Sequence, residues 1–197
     1  MDEIGAVILA GGRSSRFGRD KARVQFDGLS LLEHVLNGLP KHCAETVLVL
    51  REEQPGPQCP VDRVVFDDPV LPDGPLRGII TGLEAINCEW AWVVACDLPG
   101  ILPTVLEALA VARTPDALGV IPEWGGRIQP LCALYSRAAL PVLREAAEAG
   151  SRSVVGALDH PGFQRFDEIW SRELDPEGRS FININTPDAL ERFRSAP

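Results

Sequence analysis

The sequence predicts an α/β protein whose core is a mixed, mostly parallel sheet with helices on both faces, formed by the whole chain, residues 1–197, as one domain. Three observations lead there. Short apolar runs alternate with helical stripes across brief turns, which is the pattern of strand, helix, strand units. The runs are continuously apolar rather than alternating, as in strands buried on both faces. A Gly125-Gly126 pair between two apolar segments marks a hairpin, hence one antiparallel excursion that makes the sheet mixed.

The first run, Ile4 to Leu9, reads as a strand that ends in Gly11-Gly12. Leu31, Leu32, Val35, Leu36 and Leu39 then fall on one helical stripe, with Ser30 as N-cap, Glu33 three residues on and Pro40 as stop. Thr46 to Leu50 and Arg63 to Phe66 read as buried strands, the second running into a ligand-facing loop at Asp67-Asp68-Pro69. From Gly74-Pro75-Leu76 a helix extends to about Asn87, with Ile79, Ile80, Leu83 and Ile86 on its core side. Trp90 to Ala95 is the next strand, with Cys96-Asp97-Leu98-Pro99 at its carboxyl end, and Pro103 opens a helix to Arg113. A strand at Ala117–Ile121, the Gly-Gly turn and an apolar segment at Gln129–Tyr135 follow. Helices at Ser136–Ala149 and Val154–Leu158, a strand at Phe163–Phe166, a strand-like Phe181-Ile182 and a helix at Pro187–Phe193 complete the chain.

Composition narrows the function. With 45% hydrophobic residues the chain fills one core, and no apolar run reaches the ~18 residues of a membrane span. No basic leader precedes the first strand, so a soluble, cytoplasmic protein is expected, with no membrane partner. The net charge of −9 argues against a nucleic-acid partner. The five cysteines are scattered without a C-x-x-C pair, indicating neither a disulfide framework nor a zinc site, and the three histidines are isolated.

Against that acidic background, residues 13–23 carry Arg13, Arg16, Arg19, Lys21 and Arg23 against Asp20 alone. A glycine pair and a cation cluster at a strand's carboxyl end are suited to hold phosphate, because glycine lets the backbone N–H groups approach and the cations supply charge. Only two lysines stand among the 19 basic residues, so Lys21 reads as a chemical choice: a compact ammonium on a flexible stem can follow a moving phosphoryl charge. The spacing is neither Walker A nor G-x-G-x-x-G. Asp97 ends a hydrophobic strand at the same sheet edge, where its carboxylate could hold Mg²⁺ against nucleotide phosphates.

LAGGRSSRFGRDKA, GPLRGI, VVACDLP, RIQPLCALY and FININTPDAL, in that order, resemble the molybdenum cofactor guanylyltransferases, the MobA-like nucleotidyltransferases, over nearly the whole chain. The resemblance implies a Rossmann-like nucleotidyltransferase fold and transfer of GMP from GTP to the terminal phosphate of molybdopterin, with Mg²⁺ as cofactor and pyrophosphate released. It implies that Leu9, Ala10, Gly11 and Gly12 lie along the nucleotide, that Arg16 and Lys21 contact the triphosphate, and that Asp97 is the metal carboxylate. Gln129 with Pro130, and Asn183 with Asn185, fall on the acceptor side, and transient contact with other molybdenum cofactor proteins is implied. The asparagine amides offer both donors and acceptors, which suits a pterin ring.

The chain departs from the family in three places. Phe17 replaces a usual Met. The family's nucleotide-contacting aspartate aligns without gaps on Leu71, which leaves Asp67, Asp68 and Asp73 as alternatives; Asp67 and Asp73 are the nucleotide-binding candidates. Leu50-Arg51-Glu52 stands where a polar residue near the base is usual, so a CTP-dependent relative, a transferase with another phosphorylated acceptor and a nucleotide-binding module without turnover stay open.

Overall fold

The computed structural model describes residues 3–11, 24–51 and 59–195. In chain order the elements are β1 (Ile4–Leu9), β2 (Gln25–Phe26), β3 (Leu29–Ser30), α1 (Leu31–Asn37), β4 (Thr46–Leu50), β5 (Arg63–Phe66), α2 (Pro75–Ala85), β6 (Trp90–Ala95) and α3 (Pro103–Ala112). They continue with β7 (Gly119–Trp124), β8 (Arg127–Ile128), β9 (Cys132–Ser136), α4 (Leu140–Glu148), β10 (Phe163–Phe166), α5 (Glu168–Leu174) and α6 (Pro187–Ser195).

The main sheet runs β10-β7-β9-β6-β1-β4-β5, with β8 paired to β7. β9 is antiparallel to both β6 and β7, whereas β1, β4, β5 and β6 are mutually parallel, so the expected mixed, mostly parallel sheet is present. Strand alternation sorts the core into two layers. Ala6, Ile8, Leu48, Trp92 and Val94 pack with Leu32 and Val35 of α1 and Val105, Leu106 and Leu109 of α3. Val7, Val47, Val49, Ala91 and Val93 pack on the other face with Ile79, Ile80 and Leu83 of α2 and Leu143 of α4. Trp92, fully buried, satisfies its indole N–H on the Leu106 carbonyl at 2.7 Å.

Local chemistry explains the ends. Ser30 and Glu33 form a reciprocal capping box on α1, as their spacing predicts. Gly125 and Gly126 both take positive φ, 60° and 69°, and close the β7–β8 hairpin. Asp27-Gly28, at φ 48° and 83°, closes the small β2–β3 hairpin, as an Asp-Gly pair is suited to do. The expected helix from Ser136 divides into a 3-10 turn at Arg137–Ala139 and α4. The helix expected at Val154–Leu158 is a 3-10 turn at Ala157–Asp159. Phe181-Ile182 is not a strand: the Asp175 carboxylate accepts from Arg179 N at 3.1 Å and Ser180 N at 2.7 Å and winds Arg179–Phe181 into a 3-10 turn. α5, unexpected, is started by Asp167 accepting from Trp170 N at 3.0 Å.

Cys43, Cys59, Cys88 and Cys132 are free thiols. Among the described residues no helix is long and apolar enough to cross a membrane.

Two outcomes test this packing. A Gly→Ala change inside a helix ordinarily gains up to about 1 kcal/mol, but a Cβ on Gly82 would collide with Val7 Cγ1 where α2 lies on β1. Gly82→Ala is therefore expected to lose about 1–3 kcal/mol in urea unfolding by overpacking; unchanged or raised stability would contradict the close α2–β1 contact. Burial pushes the Cys43 thiol up to about 11, opposed in part by its hydrogen bond to the Glu45 carbonyl. Since the thiolate is the reactive form, iodoacetamide labelling of Cys43 should be slow at pH 7 and climb about tenfold per pH unit to beyond pH 10. A plateau near pH 9, read by peptide mass mapping, would mean an unburied thiol.

Candidate active site

The chain passes from β1 to β4 and β5 on one side and returns to β6 on the other, so the strand order reverses at β1. In open α/β sheets the crevice outside the carboxyl ends at such a point is where ligands bind. Two backbone hydrogen bonds carry the pairing past the strand ends: Ala10 N donates to Val49 O at 2.9 Å, and Cys96 N to Leu9 O at 3.0 Å. Between them opens a cavity of about 290 Å³, lined by Leu9, Ala10, Gly11, Arg51, Asp67 and Asp97 together with Gly74, Pro75, Gly78 and Leu131. Leu9, Ala10, Gly11, Asp67 and Asp97 are thus brought together on one cavity wall. Gly12, Arg16 and Lys21 lie outside the described residues.

The three candidate acids before Gly74 separate by what they touch. Asp67 lines the cavity with a side chain only 10% exposed. Burial raises its pKa, while Arg77 and then Arg51 pull it back down. A Cβ on Gly11 would stand 3.1 Å from Asp67 Oδ2, and one on Gly78 would stand 3.5 Å from Oδ1 and 3.3 Å from Leu9 Cδ2, so both glycines make room for this carboxylate. Asp68 instead folds its own turn, accepting from Val70 N at 2.9 Å. Asp73 pairs with Arg51 at 2.5 Å and Arg77 at 2.8 Å and is not on the cavity wall. Leu71, the ungapped match to the family's aspartate, is core, and its carbonyl accepts from Arg77 at 3.3 Å.

Arg51 is the lining residue that the sequence reading passed over as a departure. Its Nε donates to the Gly11 carbonyl. The available signal was position: a cation directly after β4, at the same carboxyl edge as Gly11 and Asp97.

The acceptor-side candidates meet the cavity from the chain's end. Ile184 N donates to the Asp97 carbonyl at 2.9 Å, and the Ile184 side chain is fully buried against Phe26, Leu31 and Phe193. Asn183 and Asn185 flank this anchor and are both exposed, beside the loop that carries Asp97. Gln129 is committed elsewhere in part: its amide donates to the Trp124 and Arg127 carbonyls at 3.1 and 3.2 Å and closes the β7–β8 hairpin. Pro130 accepts from the Tyr135 hydroxyl at 2.9 Å, and Leu131, next in line, reaches the cavity.

Chemically, the wall offers two carboxylates, one guanidinium, the buried Cys96 and backbone groups, with no nucleophilic triad among the described residues. No group of three or more His, Cys, Asp or Glu side chains with metal-binding spacing occurs among the described residues. A Mg²⁺ bound mainly through phosphate oxygens and water needs only one or two carboxylates, and Asp97, half-buried on the wall and backed by the Ile184 hydrogen bond, is a hard oxygen donor of that kind.

Residues 6–161 match the family described as MobA-like NTP transferase domain. A "Probable molybdenum cofactor guanylyltransferase" of Chloroflexus aggregans is 39% identical, with 94% of this chain and 90% of that protein covered. A molybdenum cofactor guanylyltransferase of Desulfosudis oleivorans is 30% identical over 100% of this chain and 96% of its own. Among solved structures, molybdopterin-guanine dinucleotide biosynthesis protein A from Archaeoglobus fulgidus superposes with a TM-score of 0.78 at 28% identity, covering 97% of this chain and 96% of that one.

Proposed function

The chain belongs to the MobA-like NTP transferase family, and from that premise we propose that it transfers GMP from GTP to the terminal phosphate of molybdopterin, releasing pyrophosphate. The observation that carries the reading is the cavity at the β1 switch point, with Asp97 on its wall and the Asn183–Asn185 segment hydrogen-bonded to the Asp97 backbone.

In that reaction an oxygen of the acceptor's terminal phosphate forms a bond to the α-phosphorus of GTP, and the bond to the bridging oxygen of the β-phosphate breaks. Both partners are anions. The work of the protein is therefore alignment and charge neutralisation rather than covalent catalysis. The backbone at Leu9, Ala10 and Gly11, continuing to Gly12, lies along the nucleotide, and Asp67 contacts it at the β5 side. Arg16 and Lys21 offset charge on the triphosphate and on the departing pyrophosphate. Asp97 would hold Mg²⁺, which when bound supplies positive charge to the phosphates. Asn183 and Asn185, fixed in place by Ile184, offer amide donors and acceptors to the pterin, with Gln129 on the same side. We take the reaction to be cytoplasmic, a reading that the scattered cysteines without a C-x-x-C pair support, with the product passing to other molybdenum cofactor proteins by transient contact.

The purified protein with molybdopterin and Mg²⁺ should consume GTP and release pyrophosphate in equal amounts, leaving CTP, ATP and UTP intact. Consumption of CTP with GTP untouched would overturn the guanylyl assignment, and binding without turnover of any nucleotide would overturn the transferase reading. Asp97→Ala and Lys21→Ala should each cut the rate by ~10²-fold or more, the usual effect of deleting a preorganised charge contact. A wild-type rate in both variants would rule out the roles given to them.

A further inference from the structure

We propose that Arg51, Asp73 and Arg77 form an ion-pair frame that positions the nucleotide end of the cavity, and that Asp73 acts through the two arginines rather than by touching nucleotide. The inference rests on the nucleotide-transfer reading and adds positioning residues to it.

The starting point is a charge in the wrong place. Arg77 is the third residue of α2, in the first turn, where the helix dipole disfavours a cation, and its side chain is only 12% exposed. Such a group persists only if carboxylates offset both the dipole and its own desolvation. Arg77 has two: its terminal nitrogen lies 2.8 Å from Asp73 Oδ1, and its Nε lies 3.5 Å from Asp67 Oδ2. A second terminal nitrogen reaches the Leu71 carbonyl at 3.3 Å, so the guanidinium spans the whole loop from β5 to α2.

Asp73 Oδ1 also receives Arg51 at 2.5 Å. Arg51 in turn donates through Nε to the Gly11 carbonyl, at the point where β1 runs into the glycine pair. One carboxylate oxygen therefore joins two arginines, one holding the backbone that leads into the phosphate loop and the other holding Asp67. The effect on Asp67 is directional. Its Oδ2 faces Arg77, while Oδ1 is buried beside Gly78 and has no hydrogen-bond partner among the described residues. A buried acceptor without a partner is costly unless a ligand supplies a donor, and Asp67 lines the cavity. Asp73, away from the wall, stabilises this arrangement without reaching the ligand.

The frame makes a claim about coupling that direct contact does not. If Asp73 works only through the arginines, Asp73→Asn and Arg77→Gln share the loss of the Asp73–Arg77 pair, and the double variant should be less impaired than the product of the two single effects. If Asp73 touches nucleotide, the two effects should multiply. The measurement is a double-mutant cycle on steady-state GTP kinetics, with the thermal midpoint of each ligand-free variant recorded. Each single variant is expected to raise KM for GTP about tenfold with kcat within about threefold, as for lost binding shared by ground and transition states. Arg77→Lys keeps the charge but not the fork, reaches only one of the two carboxylates and should give an intermediate KM. If Arg77→Gln does not fold, the cycle is run with Arg77→Lys and Asp73→Asn and the same criterion applies. Multiplying effects, or KM at the wild-type value while the thermal midpoint falls, would overturn the frame. Should the wild type reject GTP, the functional reading fails by itself, and the cycle is decided on dissociation constants for whichever nucleoside triphosphate it binds.

Discussion

Parallel pairing of β1 with β4 on one edge and β6 on the other fixes where every other group can stand. β1 has Ala6↔Thr46 and Ala6↔Trp92 as register partners, so one residue aligns three strands. It is also buried on both faces, Ala6 and Ile8 entering one core layer and Val7 the other. A strand so enclosed has no freedom to slip, because a one-residue shift would exchange its two faces. Its carboxyl end is consequently a fixed point, and the chain that leaves it at Ala10 and Gly11 starts from a position set by two cores.

The far wall of the site depends on the same point through a longer route. Asp97 leaves β6 beside Leu9, and its carbonyl is the acceptor for Ile184, more than 80 residues on. Ile184 is held in turn by a small apolar cluster with Phe26, Leu31 and Phe193, which is separate from the two main layers. Phe26 belongs to the β2–β3 hairpin that follows residues 12–23, and Asp27 of that hairpin pairs with Arg194 of α6 at 2.9 Å. The exit from the cationic segment and the asparagine segment therefore share one packing unit. Displacing either moves a hydrophobic contact of the other.

How much of this was legible follows from what each residue answers to. The bounds of β1, β4 and β6 could be read from sequence, since these central strands are enclosed and continuous apolarity is the direct consequence of two covered faces; β5 has the expected bounds but is not buried, being the edge strand of the sheet with Val64 and Phe66 exposed. Asp97 was legible as a strand-end carboxylate for the same reason. α5 and the Arg179–Phe181 turn were not, because polar caps from Asp167 and Asp175 decide them rather than apolar period. The choice among Asp67, Asp68 and Asp73 was beyond reach too. All three sit in one loop, and only the path of that loop brings Asp67 to the cavity and Asp73 between two arginines that stand 26 positions apart in the chain.

Arg77 carries the electrostatic logic one step further. A helix N-terminus is ordinarily a place for a ligand anion, and α2 begins beside the cavity at Gly74-Pro75. Here the anions at that terminus are supplied by the protein: Asp73 stands directly before Gly74, and Asp67 is drawn to the first turn by Arg77. With these two carboxylates paired to Arg51 and Arg77, the charges at this end offset one another and the α2 terminus is already satisfied by protein groups. The frame thus leaves the α2 end of the crevice with acceptor oxygens whose charge is offset within the protein, Asp67 on the cavity wall and Asp73 held off it between two arginines.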